Sequence, residues 1–150
     1  MDAIDTKIIE LLSVDAKRSL ADIGASVGLS PSSVNERVRR LTASGVIRRF
    51  TVDLDPVQTG MQTLVFVGIA LRDDADEEAF RAYAAAHPLI LECHHVTGAW
   101  SYLIKLRVGD ATRIEPFLAD LKARRFVGRS ETVIALSSPV PGALVRKDGA

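Results

Sequence analysis

The segment 25–41 constrains the fold most, because it predicts two helices joined by a sharp turn. Gly28 follows an apolar-periodic segment and has no Cβ to oppose the positive φ that ends a helix. Ser30 can cap a new helix with its side-chain oxygen, and Pro31 suits the first helical position, where an N–H would be unpaired anyway. This combination is typical of a helix-turn-helix.

The second of these helices has one apolar face and one polar face. Val34, Val38 and Leu41 recur at spacings of four and three, which predicts a stripe packed on a core. About half a revolution away, at roughly 100° per residue, lie polar and cationic side chains that suit the DNA major groove. The candidate DNA-contacting residues here are Ser30, Ser32, Ser33, Asn35, Glu36, Arg37, Arg39 and Arg40. An ordinary solvated helix face is the alternative interpretation.

The candidates differ in their expected roles. Ser32, Asn35 and Glu36 lie near the helix start, which is the part of such helices that contacts base edges. Arg39 projects opposite the apolar stripe and suits a base edge or a phosphate. Arg37 lies nearer the core, so we expect it to bind a phosphate or an acid of its own domain.

The charge distribution allows DNA binding although the formal net charge is zero. Phosphate contacts need clustered cations rather than an overall excess. Between residues 31 and 49 five arginines stand against Glu36 alone, while acids gather elsewhere, for example over 73–78. Arg48 and Arg49 belong to this basic cluster, and we expect them to contact phosphate from a wing.

The composition indicates a soluble globular protein. The chain has 150 residues, of which 47% are hydrophobic and 25% charged, and no apolar run approaches the roughly 20 residues that span a bilayer. The start of the chain carries acids where a secretory signal carries bases. A single cysteine, Cys93, cannot form an internal disulfide. We therefore expect a cytoplasmic protein with no membrane association.

Residues 1–52 are predicted to form a winged helix-turn-helix. Capping and apolar periodicity favour helices over 2–13, 19–27 and 31–43. Residues 46–52 are β-branched enough to predict a strand, the wing. Residues 53–61 contain Pro56 and Gly60 and are predicted to be a linker.

The hydrophobic period changes over residues 62–138, which predicts a second domain. Strands are predicted over 62–72, 89–97, 100–108 and 127–137, and helices over 76–87 and 112–123. The first strand is a continuous apolar run, as for a strand buried on both faces. The order βαββαβ is that of a ferredoxin-like sandwich, so the fold class is α+β. Residues 139–150 are predicted to be a tail.

Short motifs along most of the chain agree with one family in order and spacing. They are Ile4-Asp5 with Ile8, Val27-Gly28-Leu29-Ser30, Val34 with residues 37–41, Gly45-Val46-Ile47, Asp55-Pro56 with Gly60, and Val96-Thr97-Gly98. With these motifs the chain resembles the Lrp/AsnC family of feast/famine transcription regulators. The resemblance implies sequence-specific binding of double-stranded DNA, a homodimer that often assembles to an octamer, and a small effector such as an amino acid held between βαββαβ domains.

The predicted sheet supports the dimer indirectly. One face has no helix to cover it, and a bare apolar sheet face favours a partner. The alternative is a face polar enough to stay wet, since His94 and Lys105 can lie there.

The expected effector site surrounds the Val-Thr-Gly loop. Its candidate residues are Gly98, Ala99, Trp100 and Ser101, with Thr132 as a hydroxyl partner. The family commonly has Asp at positions 99 and 101, where a carboxylate can pair with an effector's ammonium group. Trp100 can instead offer a π face to an ammonium, or serve only in packing.

A second departure from the family is Gly24, where the second helix usually has Ala. Glycine there is expected to cost about 1 kcal/mol of helix stability.

Other functions are weighed against this interpretation. Neighbouring side chains of a strand point to opposite faces, so Glu92, Cys93, His94 and His95 are not expected to converge on a metal. We predict no catalytic residues and no cofactor besides the possible amino-acid effector. The alternatives are an effector-independent architectural DNA-binding protein and a siroheme-decarboxylase-like enzyme, for which His94 and His95 are the candidate residues.

Overall fold

A computed structural model describes residues 1–145, so the last part of the predicted tail, 146–150, lies outside the described residues. The chain divides into two compact units, Met1–Val52 and Asp53–Ala150. The predicted linker, 53–61, falls in the second unit.

The first unit contains three helices: α1 (Ala3–Val14), α2 (Leu20–Val27) and α3 (Pro31–Ala43). Each begins where its cap residue predicts, because the side chains of Asp2, Ser19 and Ser30 each accept the backbone N–H three residues later. One fully buried residue from each helix meets in the core: Ile8, Ile23 and Val34.

The strand predicted over residues 46–52 is not formed. In these residues the backbone has bend or irregular conformation, and Val46, Phe50 and Val52 are exposed. A strand is stable only when its N–H and C=O groups pair with another strand, and residues 1–52 contain helices alone. β-branched composition without a neighbouring strand is therefore insufficient, and the first unit is a helix-turn-helix without a wing strand.

The described part of the second unit has the order βαββαβ. Its elements are β1 (Thr63–Leu71), α4 (Glu77–Ala86), β2 (Ile90–His95), β3 (Tyr102–Val108), α5 (Ile114–Ala123), which a short 3₁₀ turn precedes, and β4 (Val127–Ile134). The four strands form one antiparallel sheet in the order β2-β3-β1-β4. The ferredoxin-like α+β architecture is confirmed.

The two faces of the sheet are different. Val65, Val67 and Ile69 of β1 are fully buried in a core with side chains of α4 and α5. Leu64 and Phe66 alternate with them on the open face and are only half-buried. β1 is therefore fully buried on the helix-covered face, whereas on the open face Gly68 alone of its residues is buried.

The segment after β4 is held by the start of the second unit. Leu144 is buried, its N–H donates to Asp53 Oδ1 at 2.7 Å, and its carbonyl accepts from the Leu54 N–H at 3.0 Å. The described part of the predicted tail is thus hydrogen-bonded to the segment that precedes β1.

Candidate nucleic-acid interface and effector site

The turn between α2 and α3 forms as the sequence predicts. Gly28 has φ of 70° and lies in the left-handed region. The N–H of Leu29 then donates to the carbonyl of Gly24 at 3.0 Å. Ser30 caps α3, and Pro31 occupies its first position.

Burial of the apolar stripe determines which face of α3 is exposed. Val34 and Leu41 are buried, and Val38 packs beside them. The exposed candidate residues within α3 are Ser32, Ser33, Asn35, Glu36, Arg39 and Arg40. The outward face therefore has the polar and cationic character that a major groove accepts.

Three serines surround the start of α3. The hydroxyl of Ser30 lies 3.0 Å from that of Ser32 and 2.9 Å from that of Ser33. Ser30 also accepts the N–H of Ser33 at 3.2 Å, so its acceptor capacity is partly used by the helix itself. Ser32 and Ser33 remain exposed and can exchange these contacts for DNA.

The arginines of α3 have different environments. Arg39 is exposed, and its Nη1 lies 3.6 Å from Glu36 Oε2, a loose surface ion pair. Arg37 donates hydrogen bonds to Asp2 and Asp5, which agrees with the expectation that it binds an acid of its own domain. Arg40 also donates to Asp5, a contact that the sequence pattern does not predict.

Arg48 and Arg49 are exposed in the segment that lacks the wing strand. Arg49 lines a cavity of about 250 Å³ together with Phe50, Ile47 and residues of α1. The two arginines are thus available to a polyanion, although no strand positions them.

In the second unit the loop between β2 and β3 bends back over the open sheet face. The loop is longer than predicted, 96–101. In it the Ser101 N–H donates to the Ile69 carbonyl of β1 at 2.8 Å, and the Ser101 carbonyl accepts from the Val96 N–H at 3.1 Å. Gly98 has φ of 103°, which a residue with a side chain rarely adopts. Trp100 lies so close to Gly68 that a Cβ there would come within 2.8 Å of the indole ring.

A guanidinium lies beside this loop, where the sequence pattern predicts no charged residue. Arg129 of β4 donates to the carbonyl of Ala99 at 3.1 Å, and its Cζ lies 4.5 Å from the Trp100 ring centroid. The ring of Trp100 thus already has a cation–π partner within the chain. Ser101 is used structurally, since its Oγ accepts the N–H of Leu71 at 3.1 Å.

Thr132 is not part of this group. It pairs with Val67, whose side chain lies on the helix-covered face, whereas Arg129 pairs with Ala70 on the open face. Successive residues of a strand alternate between the two sheet faces. To predict whether Thr132 or Arg129 lies beside the loop, one must know how β4 is paired with β1, and the sequence alone does not define this register.

A groove of about 520 Å³ runs beside Arg129 and is also lined by Asp73 and Asp74. Asp74 pairs with Arg72 at 2.8 Å and with Arg125 at 2.8 Å. These hydrogen bonds, that of Arg72 foremost, hold the pKa of Asp74 far below its usual range. The groove therefore presents both charge signs at neutral pH.

The histidines of β2 do not form a shared site. His95 pairs with Tyr102 and stacks on its ring, with centroids 5.0 Å apart, on the helix-covered face. His94 lies on the open face and pairs with Glu92 at 3.2 Å. Within residues 1–145 no three His, Cys, Asp or Glu side chains are grouped to hold a metal. In the same residues no helix combines the length and apolarity needed to cross a membrane.

Comparison with known proteins agrees with this geometry. Residues 1–42 match the family model of the AsnC-type helix-turn-helix domain, and residues 64–145 match that of the Lrp/AsnC ligand binding domain. The chain is 34% identical to the HTH-type transcriptional regulator LrpC of Bacillus subtilis over 79% of its length and 81% of that protein. It is 37% identical to the leucine-responsive regulatory protein of Salmonella typhimurium, over 83% of this chain and 77% of that one. A crystal structure of an AsnC family transcriptional regulator from Agrobacterium tumefaciens superposes with a TM-score of 0.86 at 27% identity, covering 95% of this chain and 94% of the other.

Proposed function

The chain belongs to the Lrp/AsnC family of transcription regulators, and from this membership we propose that it binds operator DNA through the outward face of α3 and adjusts that binding to a small effector. The first unit supplies the DNA contacts and the second unit the effector site. The relatives come from bacteria and archaea, whose DNA lies in the cytoplasm, so a cytoplasmic location is part of this proposal.

The buried stripe of α3 carries the DNA-binding proposal. Because Val34 and Leu41 fix the helix on its core, Ser32, Asn35 and Glu36 form its exposed N-terminal surface. These side chains contact base edges, since the N-terminal residues of such helices enter the groove. Arg39 contacts a base edge or a phosphate, and Arg48 and Arg49 contact phosphates that set the protein's position.

The experiment on DNA compares α3 variants in binding to a fluorescein-labelled duplex of mixed sequence. Arg39→Ala removes an exposed cation from the outward face and is expected to flatten the dependence of log K on log salt by about 0.9 for each phosphate that is no longer neutralised. Lys7→Ala is the control, because it removes one exposed cation from α1. Equal slopes and equal affinities for Arg39→Ala and the wild type would place the DNA elsewhere.

The effector proposal rests on the loop 98–101 and the groove beside it. Gly98 lets the backbone turn, Trp100 provides an aromatic surface, and Arg129 supplies a guanidinium for a carboxylate. Asp73 and Asp74 line the same groove and can face an ammonium group. An amino acid, which carries both charges, is therefore the proposed effector class.

Trp100 is the only tryptophan of the chain, so its fluorescence reports on this site. We expect at least one of the twenty amino acids to change the Trp100 emission and to raise the melting temperature by mass action. Arg129→Gln should abolish both effects, while Arg124→Gln, an exposed arginine on α5's C-terminal side, should leave them intact.

The absence of carboxylates from the loop favours one second candidate. Positions 99 and 101 carry Ala and Ser, so the loop itself offers no counter-ion to an ammonium group. If none of the amino acids changes either signal while DNA binding is normal, the result favours an effector-independent architectural DNA-binding protein of this family.

We also propose that a second copy of the chain covers the open sheet face. Leu103 and Val133 are exposed there, by 37% and 52%, beside the half-buried Phe66. A sheet face with apolar side chains favours burial against a partner, and a symmetric pair of such faces makes a dimer that can assemble further to an octamer.

The dimer is tested by light scattering during size-exclusion chromatography. Val133→Asp puts a charge on the open face and should shift the mass toward that of the single chain. Val14→Asp, at an exposed valine of α1, is the matched control and should keep the wild-type mass. A monomeric wild type would contradict this part of the proposal.

A further inference from the structure

Asp5 is a buried carboxylate that connects α1 to α3. Only 1% of the residue is exposed, and a buried carboxylate is tolerated when it is paired and hydrogen-bonded. Its Oδ1 accepts from Arg37 Nη1 at 2.8 Å, and both oxygens accept from Arg40 Nη2, at 3.1 and 3.0 Å. The hydrogen bond from Arg37 is the main reason that the pKa of Asp5 is lowered. Asp5 is thus ionised at neutral pH and holds two arginines of the helix.

These two arginines differ in what remains available to a ligand. Arg37 also donates to Asp2 at 2.7 Å, and its side chain is 23% exposed. Two carboxylates therefore take up its single charge. Arg40 contacts Asp5 through Nη2 only, and its side chain is 60% exposed. Within residues 1–145 no further hydrogen bond of the Arg40 guanidinium is found.

We propose that Asp5 is a positioning residue that aims Arg40 at a DNA phosphate, and that Arg37 stabilises the fold without contacting DNA. The inference rests on the proposed DNA-binding function and deepens it. A guanidinium has five donors in a planar fork, so it can hold a carboxylate on one edge and a phosphate on another.

The space for a phosphate lies beside Arg40. A concavity of about 470 Å³ is lined by Arg40 together with Asp2, Asp5, Ser44 and Val46. The carboxylates in its wall repel an anion unless they are neutralised. Arg37 binds both of them, and Arg40, which lines the concavity together with Met1, is a cation that can bind a ligand there.

The experiment measures binding of the full chain to a labelled 30-base-pair duplex of mixed sequence over a series of KCl concentrations. Phosphate contacts determine the slope of log K against log salt whether or not the sequence is an operator. Arg40→Ala should flatten the slope by about 0.9 for each subunit bound. Arg37→Ala/Asp2→Asn removes one cation and one acid together, so it should lower the melting temperature and leave the slope of the folded protein unchanged.

Asp5→Asn separates positioning from simple electrostatics. Removing an acid near DNA should strengthen binding if charge alone matters. We expect the opposite, a slope flattened to that of Arg40→Ala, with no further change in the double variant Asp5→Asn/Arg40→Ala. Asp2→Asn also removes one acid but keeps the hydrogen bonds between Asp5 and Arg40. The slope of log K against log salt should therefore stay at least as steep as in the wild type.

Each outcome has a separate meaning. If Arg40→Ala has the wild-type slope, the inference is wrong but the proposed function is not affected. Tighter DNA binding by Asp5→Asn has the same meaning. Should circular dichroism show that Asp5→Asn does not fold, Arg40→Ala still tests the contact with phosphate, because Arg40 is exposed and a wild-type slope for this variant overturns the inference. A wild type that shows no salt-dependent binding to any duplex overturns the proposed function and the inference together.

Discussion

At the residue scale, two glycines are required by specific close contacts. Gly68 has room for Trp100 because it lacks a Cβ, and Trp100 in turn lies against Arg129. Gly24 is a comparable case in the first unit. The sequence predicts that this glycine merely weakens α2, but the structure shows it buried, where a Cβ would meet the carbonyl oxygen of Leu29 closer than real Cβ atoms approach.

Gly24→Ala is therefore expected to destabilise the first unit by about 1–3 kcal/mol, because the obstacle is backbone and cannot rotate away. Urea denaturation followed by circular dichroism at 222 nm measures the change. Ala25→Gly, at the exposed neighbour, calibrates helix propensity alone and should cost about 1 kcal/mol. A Gly24→Ala variant more stable than the wild type would show that propensity dominates and that the turn adjusts.

At the element scale, the start of a helix can be predicted from neighbouring residues, whereas the formation of a strand depends on residues far away in the sequence. Ser30, Pro31 and Gly28 specify the turn and the start of α3 within four residues, so sequence inspection suffices. The segment 46–52 has strand composition but has no partner strand in its unit. Placing Thr132 or Arg129 beside the loop requires knowing which face of β4 meets it. The propensity of a segment to form a strand depends on its own residues. Which strand it pairs with, and which sheet face each side chain occupies, depend on distant residues.

Ser30→Ala tests the cap of α3 directly. Losing the acceptor for the Ser33 N–H should cost about 0.5–2 kcal/mol in the free energy of unfolding. Ser13→Ala removes a hydroxyl that donates to the Ile9 carbonyl in α1 and should be nearly neutral, since such bonds do not stabilise helices. Equal effects of the two substitutions would deny Ser30 its capping role.

At the scale of the whole molecule, a neutral chain obtains a DNA-binding surface by placing its charges unevenly. The formal charges of Asp2, Asp5, Arg37 and Arg40 sum to zero, so the net positive charge of the region comes from Arg39, Arg48 and Arg49 against Glu36, although Arg40 itself stays exposed to a phosphate. The sequence shows five arginines with Glu36 over 31–49, but only the structure shows that acids from α1's start reach two of them.

This cluster makes stability depend on pH. The pKa values of Asp2 and Asp5 are lowered by hydrogen bonds within the cap and to Arg37, so the folded state binds fewer protons than the unfolded state. Their contribution is complete above the ordinary aspartate pKa of about 3.9 and is lost as the pH falls through the lower folded values. We expect Asp5→Asn to be clearly less stable than the wild type at pH 7, with the gap shrinking toward pH 3. Urea titrations at both pH values measure the difference in unfolding free energy between the two proteins. An equal difference at pH 7 and pH 3 would contradict a contribution from the ionised Asp5.

Recognition of DNA sequence by the exposed face of α3 is tested most directly by selecting from a pool of random duplexes with the purified full chain and sequencing what is retained. We expect enrichment of a two-fold symmetric motif, because a dimer presents two copies of α3 to two half-sites. That enrichment should disappear in a Ser32→Ala/Glu36→Ala variant that remains folded and still binds DNA non-specifically. A pool that stays random with the wild type, or the same motif selected by the variant, would contradict recognition through this face.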